Sequence, residues 1–275
     1  MPEGAGAARR RLIGEGREAE IFEWDHDTVL RLLRPPGDMA RVQREAAALR
    51  AAADAGVDVP AVYETTTLDR RPGLLMDRVD GPDLITLMGR RPWMVPKAAR
   101  IVGATQARMH AVVGPPELMS LREEARLKIN AAIDLPGELA EFALARLDAL
   151  PDGERLCHGD FHPANILLGS DGPAVIDWTN ATRGDPAADL ARTRLLLRVG
   201  AVPEHMPALI RRLHAFGRGA FYRGYVRAYE RVRPIDAALV DRWEPVRAAD
   251  RLFEGIPEER ATLLGIVERH AAERA

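Results

Sequence analysis

The stretch Leu156 to Leu168, LCHGDFHPANILL, sets two histidines, an aspartate and an asparagine between apolar flanks. Two chemistries compete for it. His158, Asp160 and His162 alternate along the chain in a pattern that suits the metal of a zinc-dependent hydrolase. The oxygen groups point elsewhere. Downstream the chain reads ILLGSDGPAVID, two β-type runs around a Gly-Ser-Asp-Gly-Pro turn. A hairpin centred near Asp171 sets Asn165 almost opposite Asp177, with Cα atoms about 4.5–5.5 Å apart. Asp160 lies on the loop that feeds the first strand. Amide and carboxylate oxygens suit Mg2+, which is usually shared with substrate phosphates. A free aspartate beside such an ion can orient a hydroxyl and accept its proton, which is what phosphoryl transfer needs. On this chemistry His158 bonds the loop backbone and His162 shapes the loop. A zinc site would leave Asn165 and Asp177 without a purpose, and no other His or Cys cluster supplies further ligands.

Such a site needs elements that hold it still. Arg11 to Ile13, Glu20 to Trp24 and Thr28 to Leu33 alternate like short strands, with Gly14-Glu15-Gly16 and Asp25-His26-Asp27 as turns. The period then changes. After Pro35-Pro36-Gly37-Asp38, residues Val42, Ala46, Leu49 and Ala53 recur at helical spacing, and Gly56 stops them. Strands over 61–65 and 73–78 complete a small sheet before Val79-Asp80-Gly81-Pro82 breaks the pattern. The expected division is a β-rich lobe, 1–79, and a helical lobe, 80–275. In the second lobe helices are expected over 84–88, 94–112, 121–132, 136–147, 187–197 and 208–232, with two more towards the C-terminus.

His158-Gly159-Asp160, then Asn165, then Ile176-Asp177-Trp178 resemble the catalytic segment of the aminoglycoside phosphotransferase and choline kinase family, small-molecule relatives of the protein kinases. The downstream run GDPAADLA, Gly184 to Ala191, is similar to that family too. The resemblance covers most of the chain and is strongest from Leu156 to Leu190. It implies an α+β, bilobal protein-kinase-like fold: a small antiparallel sheet that binds the nucleotide, and a larger helical lobe that binds the acceptor. It also implies ATP or GTP as co-substrate with Mg2+, Asp160 as base, Asn165 and Asp177 as metal ligands, and Asp189 as a brace of the catalytic loop. From composition alone Asp189 would serve equally well as a helix cap.

Gly14-Glu15-Gly16-Arg17-Glu18-Ala19 matches G-x-G-x-x-A, a loop whose amides could approach phosphates, although a plain hairpin turn also explains the glycines. The family resemblance implies a third-strand lysine paired with a glutamate on the next helix. Glu45 fits that glutamate, or else a solvated helix face. Arg31 stands where the lysine is expected; its planar fork can bind phosphate or Glu45 but is no equal replacement. That departure raises an alternative, a catalytically silent nucleotide- or ligand-binding protein on the same fold. Leu74 to Val79, with Met76 and Arg78, resembles the interlobe linker that would bond the purine; an edge strand is the competing assignment.

The 39 Lys and Arg nearly balance the 41 Asp and Glu, so no global charge favours nucleic acid or an anionic membrane. The one cysteine, Cys157, excludes an internal disulfide and is expected to be a buried thiol in a reducing cytoplasm. No signal-peptide core follows the basic N-terminus. A small hydroxylated molecule is the expected acceptor: an aminoglycoside-like antibiotic, a sugar or an amino alcohol. On the C-terminal helices, acids such as Asp241, Glu244, Asp250 and Glu254 alternate with Arg242, Arg247, Arg251 and Arg260, as on a solvated face. The basic segment from Arg211 to Arg233 is expected to bury Tyr222, Tyr225 and Tyr229 and to expose Arg223, Arg227 and Arg231.

Overall fold

A computed structural model describes residues 10–199 and 208–273, with the side chains of 208–216 set aside. The basic stretch before Arg10, and the side chains of Arg211 and Arg212, lie outside the described residues. Leu12–Glu15 (β1), Ala19–Glu23 (β2), Thr28–Leu33 (β3), Val62–Leu68 (β4) and Arg71–Asp77 (β5) form one five-stranded sheet in the order β1-β2-β3-β5-β4, every neighbouring pair antiparallel. Strand alternation decides what β3 presents. Leu30 and Leu32 turn to one face with Phe22, and Leu33 turns to the other, where Met39–Asp54 (α1) packs through Val42, Ala46 and Leu49. Arg31 shares that second face and so points towards α1.

Asp38 caps α1 by accepting the N–H of Ala40, and the helix ends before Gly56, whose φ of 74° a glycine adopts without strain. Glu45 is on the packed side, 2 % exposed, so it is no part of a solvated face. The expected Gly14-Glu15-Gly16 turn is also displaced. Gly14 sits inside β1 opposite Ile21, and the turn is tied by Gly16 N–H to the Ala19 carbonyl at 2.8 Å. The pairing of Glu15 with Glu20 carries the ladder past Gly14, because backbone groups within reach of a ladder partner take it. β5 lies between β3 and β4, which removes the edge-strand assignment for Leu74 to Asp77.

The second lobe contains Leu84–Arg90 (α2), Val95–Met109 (α3), Leu121–Ala131 (α4), Gly137–Asp148 (α5), Pro186–Val199 (α6), Ala208–Glu230 (α7), Ala237–Arg251 (α8) and Pro257–Ala272 (α9). α3 and α7 lie close together: a Cβ on Gly103 would stand 2.2 Å from the Tyr225 carbonyl oxygen. Tyr225 and Tyr229 are buried in that contact and Tyr222 partly so, while Arg223, Arg227 and Arg231 face water. One apolar cluster runs from Leu33, Leu49 and Leu74 of the sheet lobe through Leu84, Phe161 and Trp178 to Val246 and Val267. Among the described residues no helix is long and apolar enough to cross a membrane.

The charges of the C-terminal helices differ from expectation. Asp241, Arg242 and Arg260 are exposed, but Glu244, Arg247, Asp250 and Arg251 are buried. α6 supplies the reason: Arg192 and Arg194 project from it and pair with Asp250 and Glu244, so both helices can bury charge as matched pairs.

Candidate active site

Two strand pairs frame the loop from His158 to Asn165. Arg155–Cys157 (β6) pairs with Thr182–Gly184 (β9), and Ile166–Gly169 (β7) pairs with Gly172–Val175 (β8). The second pair is the expected hairpin, with its register shifted by one. Its turn is Ser170-Asp171, Ile166 faces Val175, and Asn165 accepts the N–H of Ile176 at 3.0 Å. Asp177 is therefore one residue beyond the position opposite Asn165, and its φ of 61° turns the chain there. Asp tolerates this left-handed conformation better than most side chains.

Gly159 has a φ of 78°, and a Cβ there would lie 2.2 Å from the Asn180 carbonyl oxygen, so both conformation and space demand glycine. His158 is fully buried. Its Nε2 meets the Ile176 carbonyl at 3.1 Å and its Nδ1 accepts the Asp160 N–H at 3.3 Å. Burial lowers its pKa, against the pull of Asp189, Asp160 and Asp177. Both ring nitrogens are thus occupied by backbone, and no group of three or more His, Cys, Asp or Glu suited to a metal occurs among the described residues. The zinc arrangement has no geometry to rest on.

Asp160 projects from this loop. The side-chain amide of Asn165 donates to its backbone carbonyl at 2.9 Å and approaches its Oδ2 at 3.5 Å. His162 Nε2 lies 3.4 Å from the same Oδ2. Oδ1 is buried with no hydrogen-bond partner, and the nearest cations are Arg251 at 3.8 Å and Arg192 at 4.0 Å. Burial pushes the Asp160 carboxyl up, but His162, Arg192 and His158 outweigh it and hold the group well below the usual range. Because Asn165 spends its nitrogen on Asp160, its amide oxygen remains for a hard cation.

Behind the loop stands Asp189, fully buried in α6. It accepts Gly159 N–H at 2.8 Å, His158 N–H at 3.4 Å, Gln106 Nε2 at 3.0 Å and His110 Nε2 at 3.0 Å. Burial opposes its charge, yet the hydrogen bond and charge of His110, with the bonds from Gln106 and Gly159, leave its carboxyl well below the usual range. It caps no helix; Asp185 does, accepting Ala187 N–H at 2.7 Å. Gln106 and His110 are held in turn by the hydroxyls of Tyr225 and Tyr229. Their spacing of four along α3 was the one available sign in the sequence that they share a face.

On the sheet side Arg31 Nη1 donates to Glu45 Oε2 at 2.9 Å, while Nη2 reaches Thr179 Oγ1 at 2.6 Å and Asp177 Oδ1 at 3.3 Å. Burial pushes the Glu45 carboxyl up to about 7 against the pull of Arg31. Arg17, at the tip of the glycine turn, crosses to the helical lobe and donates to the Glu254 carbonyl at 3.1 Å. Arg78 is spent on Glu23 and Asp80, each within hydrogen-bond reach, and Met76 packs against the core. Thr179, Arg192, Arg251 and Glu254 also belong to this region. Thr179 is two residues beyond Asp177, but only the folded chain reveals the other three, since no motif spacing connects α6 with the end of α8.

A five-stranded antiparallel lobe and a helical lobe, meeting around Arg31, Glu45, Asp160, Asn165 and Asp177, define a protein-kinase-like phosphotransferase fold. The chain belongs to the phosphotransferase enzyme family, whose model matches residues 9–235, and it is a kinase of the small-molecule kind. Among solved structures it is similar to an amicoumacin kinase in complex with AMP-PNP, Ca2+ and Ami, at 15 % identity and a TM-score of 0.66, covering 98 % of this chain and 89 % of that one. It is similar also to the GDP and kanamycin complex of an APH(2")-IIia, at 18 % identity and a TM-score of 0.61, over 100 % and 96 % of the two chains. A macrolide 2'-phosphotransferase from Brachybacterium faecium matches at 22 % identity and a TM-score of 0.55, over 94 % and 91 %. No curated protein gives a significant match.

Proposed function

We propose that this phosphotransferase moves the γ-phosphoryl of ATP or GTP to a hydroxyl of a small molecule at Asp160. The observation that carries this is the disposition of Asp160 and Asn165. Asp160 keeps a partly exposed carboxylate beside His162, and Asn165 turns its donors inward to the Asp160 carbonyl and leaves its amide oxygen. The Asp160 carboxylate accepts the hydrogen bond of the acceptor hydroxyl and takes its proton as that oxygen bonds to the γ-phosphorus, while the bond from phosphorus to the β–γ bridging oxygen breaks and the nucleoside diphosphate leaves. A carboxylate held so low is a weak base, so orientation is its main contribution. Mg2+, when present, would be held by Asn165 and Asp177 and would neutralise phosphate oxygens.

The lobe of residues 1–79 receives the nucleotide in this scheme. Backbone amides of the turn that follows Gly14 and Gly16 approach the phosphates, with Arg17 beside them. Arg31, oriented by Glu45, supplies the positive charge. The connection after Met76, near Arg78, borders the purine. His158 and Asp189 hold the loop that carries Asp160. The relatives named above that bind kanamycin, amicoumacin or nucleotides make antibiotics a reasonable part of the acceptor panel.

A silent binding protein is favoured by one observation, the contact of Arg31 with Asp177, which places a cation on a residue assigned to the metal. Incubation with ATP or GTP, Mg2+ and a panel of sugars, amino alcohols and aminoglycosides separates the two. Phosphorylated product in any reaction excludes the silent protein, and nucleotide binding with no product across the panel supports it. Activity gained by Arg31→Lys would trace the silence to the guanidinium. Asp177→Ala is expected to lose the Mg2+-dependent part of nucleotide binding in calorimetry.

A further inference from the structure

Arg31 divides its donors. One guanidinium nitrogen serves Glu45, and the other serves both Thr179 Oγ1 and Asp177 Oδ1. Thr179 Oγ1 lies 2.7 Å from that same Asp177 oxygen. A hydroxyl that accepts from Arg31 has its own proton left to donate, so the bonds run in one direction, from Arg31 to Thr179 to Asp177. Asp177, whose side chain is 47 % exposed, is thereby tethered to the central strand of the sheet lobe by a group that is itself 8 % exposed. A lysine carries its donors on one nitrogen. The two nitrogens of the guanidinium fork can hold Glu45 and the Thr179–Asp177 pair at once.

We infer that Arg31, through Thr179, makes divalent-cation binding and nucleotide binding depend on each other; this rests on the nucleotide-kinase function proposed above. The guanidinium charge stands beside Asp177 and, while uncompensated, opposes a second cation there. An arriving triphosphate offers Arg31 anionic oxygens of its own. Its charge is then compensated by phosphate, and Asp177 is freed to serve the cation. Thr179 is a positioning residue in this device, because it touches Asp177 and not the reacting atoms. Linkage requires the effect to be mutual: the factor by which nucleotide tightens the cation equals the factor by which the cation tightens nucleotide.

The test uses Mn2+ as the hard-cation probe on the full chain, with free Mn2+ read by electron paramagnetic resonance and AMP-PNP binding read by calorimetry with and without Mn2+. In Arg31→Lys the affinity for Mn2+ alone is expected to rise about tenfold, and the coupling factor between Mn2+ and AMP-PNP to fall by the same ratio. Thr179→Val, which keeps the Arg31–Glu45 pair, is expected to move both quantities in the same direction by a smaller factor. Because Thr179 is partly exposed, that variant supplies the answer if Arg31→Lys folds poorly. AMP-PNP binding with unchanged Mn2+ affinity and unchanged coupling in the variants overturns this inference alone. A wild-type protein that binds AMP-PNP neither with nor without Mn2+ overturns the proposed function and this inference with it.

Discussion

Asp189 accepts the backbone N–H of Gly159 at 2.8 Å across a gap of thirty residues in sequence, and with it fixes the loop that carries Asp160. The carboxylate is fully buried and also receives Gln106 and His110. Asp189→Ala would leave these donors unpaired in the interior, a class of change that costs roughly 3–5 kcal/mol. Urea unfolding of Asp189→Ala should register a loss of that order; a loss below about 1 kcal/mol would show that the loop does not depend on this anchor.

Gly159→Ala tests the same loop from the other side. The left-handed conformation alone costs about 1–2 kcal/mol for a residue with a Cβ, and the added carbon would meet the Asn180 carbonyl oxygen at 2.2 Å. The variant is expected to lose phosphoryl transfer through a displaced Asp160, and a crystal structure of it should show the 158–162 backbone moved. Activity within about twofold of the wild type would count against the geometry.

Asp160→Asn keeps the size and much of the polarity of the side chain while removing the acceptor for the hydroxyl proton. Turnover on whichever acceptor the panel identifies should fall by about 10²–10⁴, with nucleotide affinity near that of the wild type. Unchanged turnover would remove Asp160 from the mechanism.

Glu45 gives the fold a pH dependence of defined sign. Burial raises its carboxyl from the ordinary 4.5 to about 7, partly offset by Arg31. The folded state therefore holds a proton that the unfolded chain has already released in this range. The stability from this group is complete below about pH 4.5 and is lost as pH rises towards 7. Thermal melts of the wild type and Glu45→Gln at pH 5 and pH 7.5 should differ in slope, the wild type losing more of its Tm over the interval. Parallel slopes would refute the assignment.

Much of the architecture was legible because local physics dictates it. Apolar alternation located the strands of the sheet, the helical period located α1, and the turn residues at 170–173 announced a hairpin between Asn165 and Asp177. Charge burial and strand register were not legible in the same way. Glu244, Arg247, Asp250 and Arg251 look like a solvated helix face until α6 brings Arg192 and Arg194 against them. The hairpin register depended on the turn closing at Ser170-Asp171. β6 and β9 are not legible in the sequence because strands of three residues carry too little periodicity.

By itself the sequence determined which candidate groups come together, since the spacing from His158 through Asp160 and Asn165 to Asp177 is a property of a local hairpin and the loop that enters it. Tertiary structure alone decided what surrounds them. Arg31 meets Asp177 across 146 residues, and Arg192 and Arg251 approach Asp160 from different helices. Whether a charge is solvated, paired or opposed depends on which elements pack against it, and packing between elements far apart in sequence leaves no trace in the period of either one.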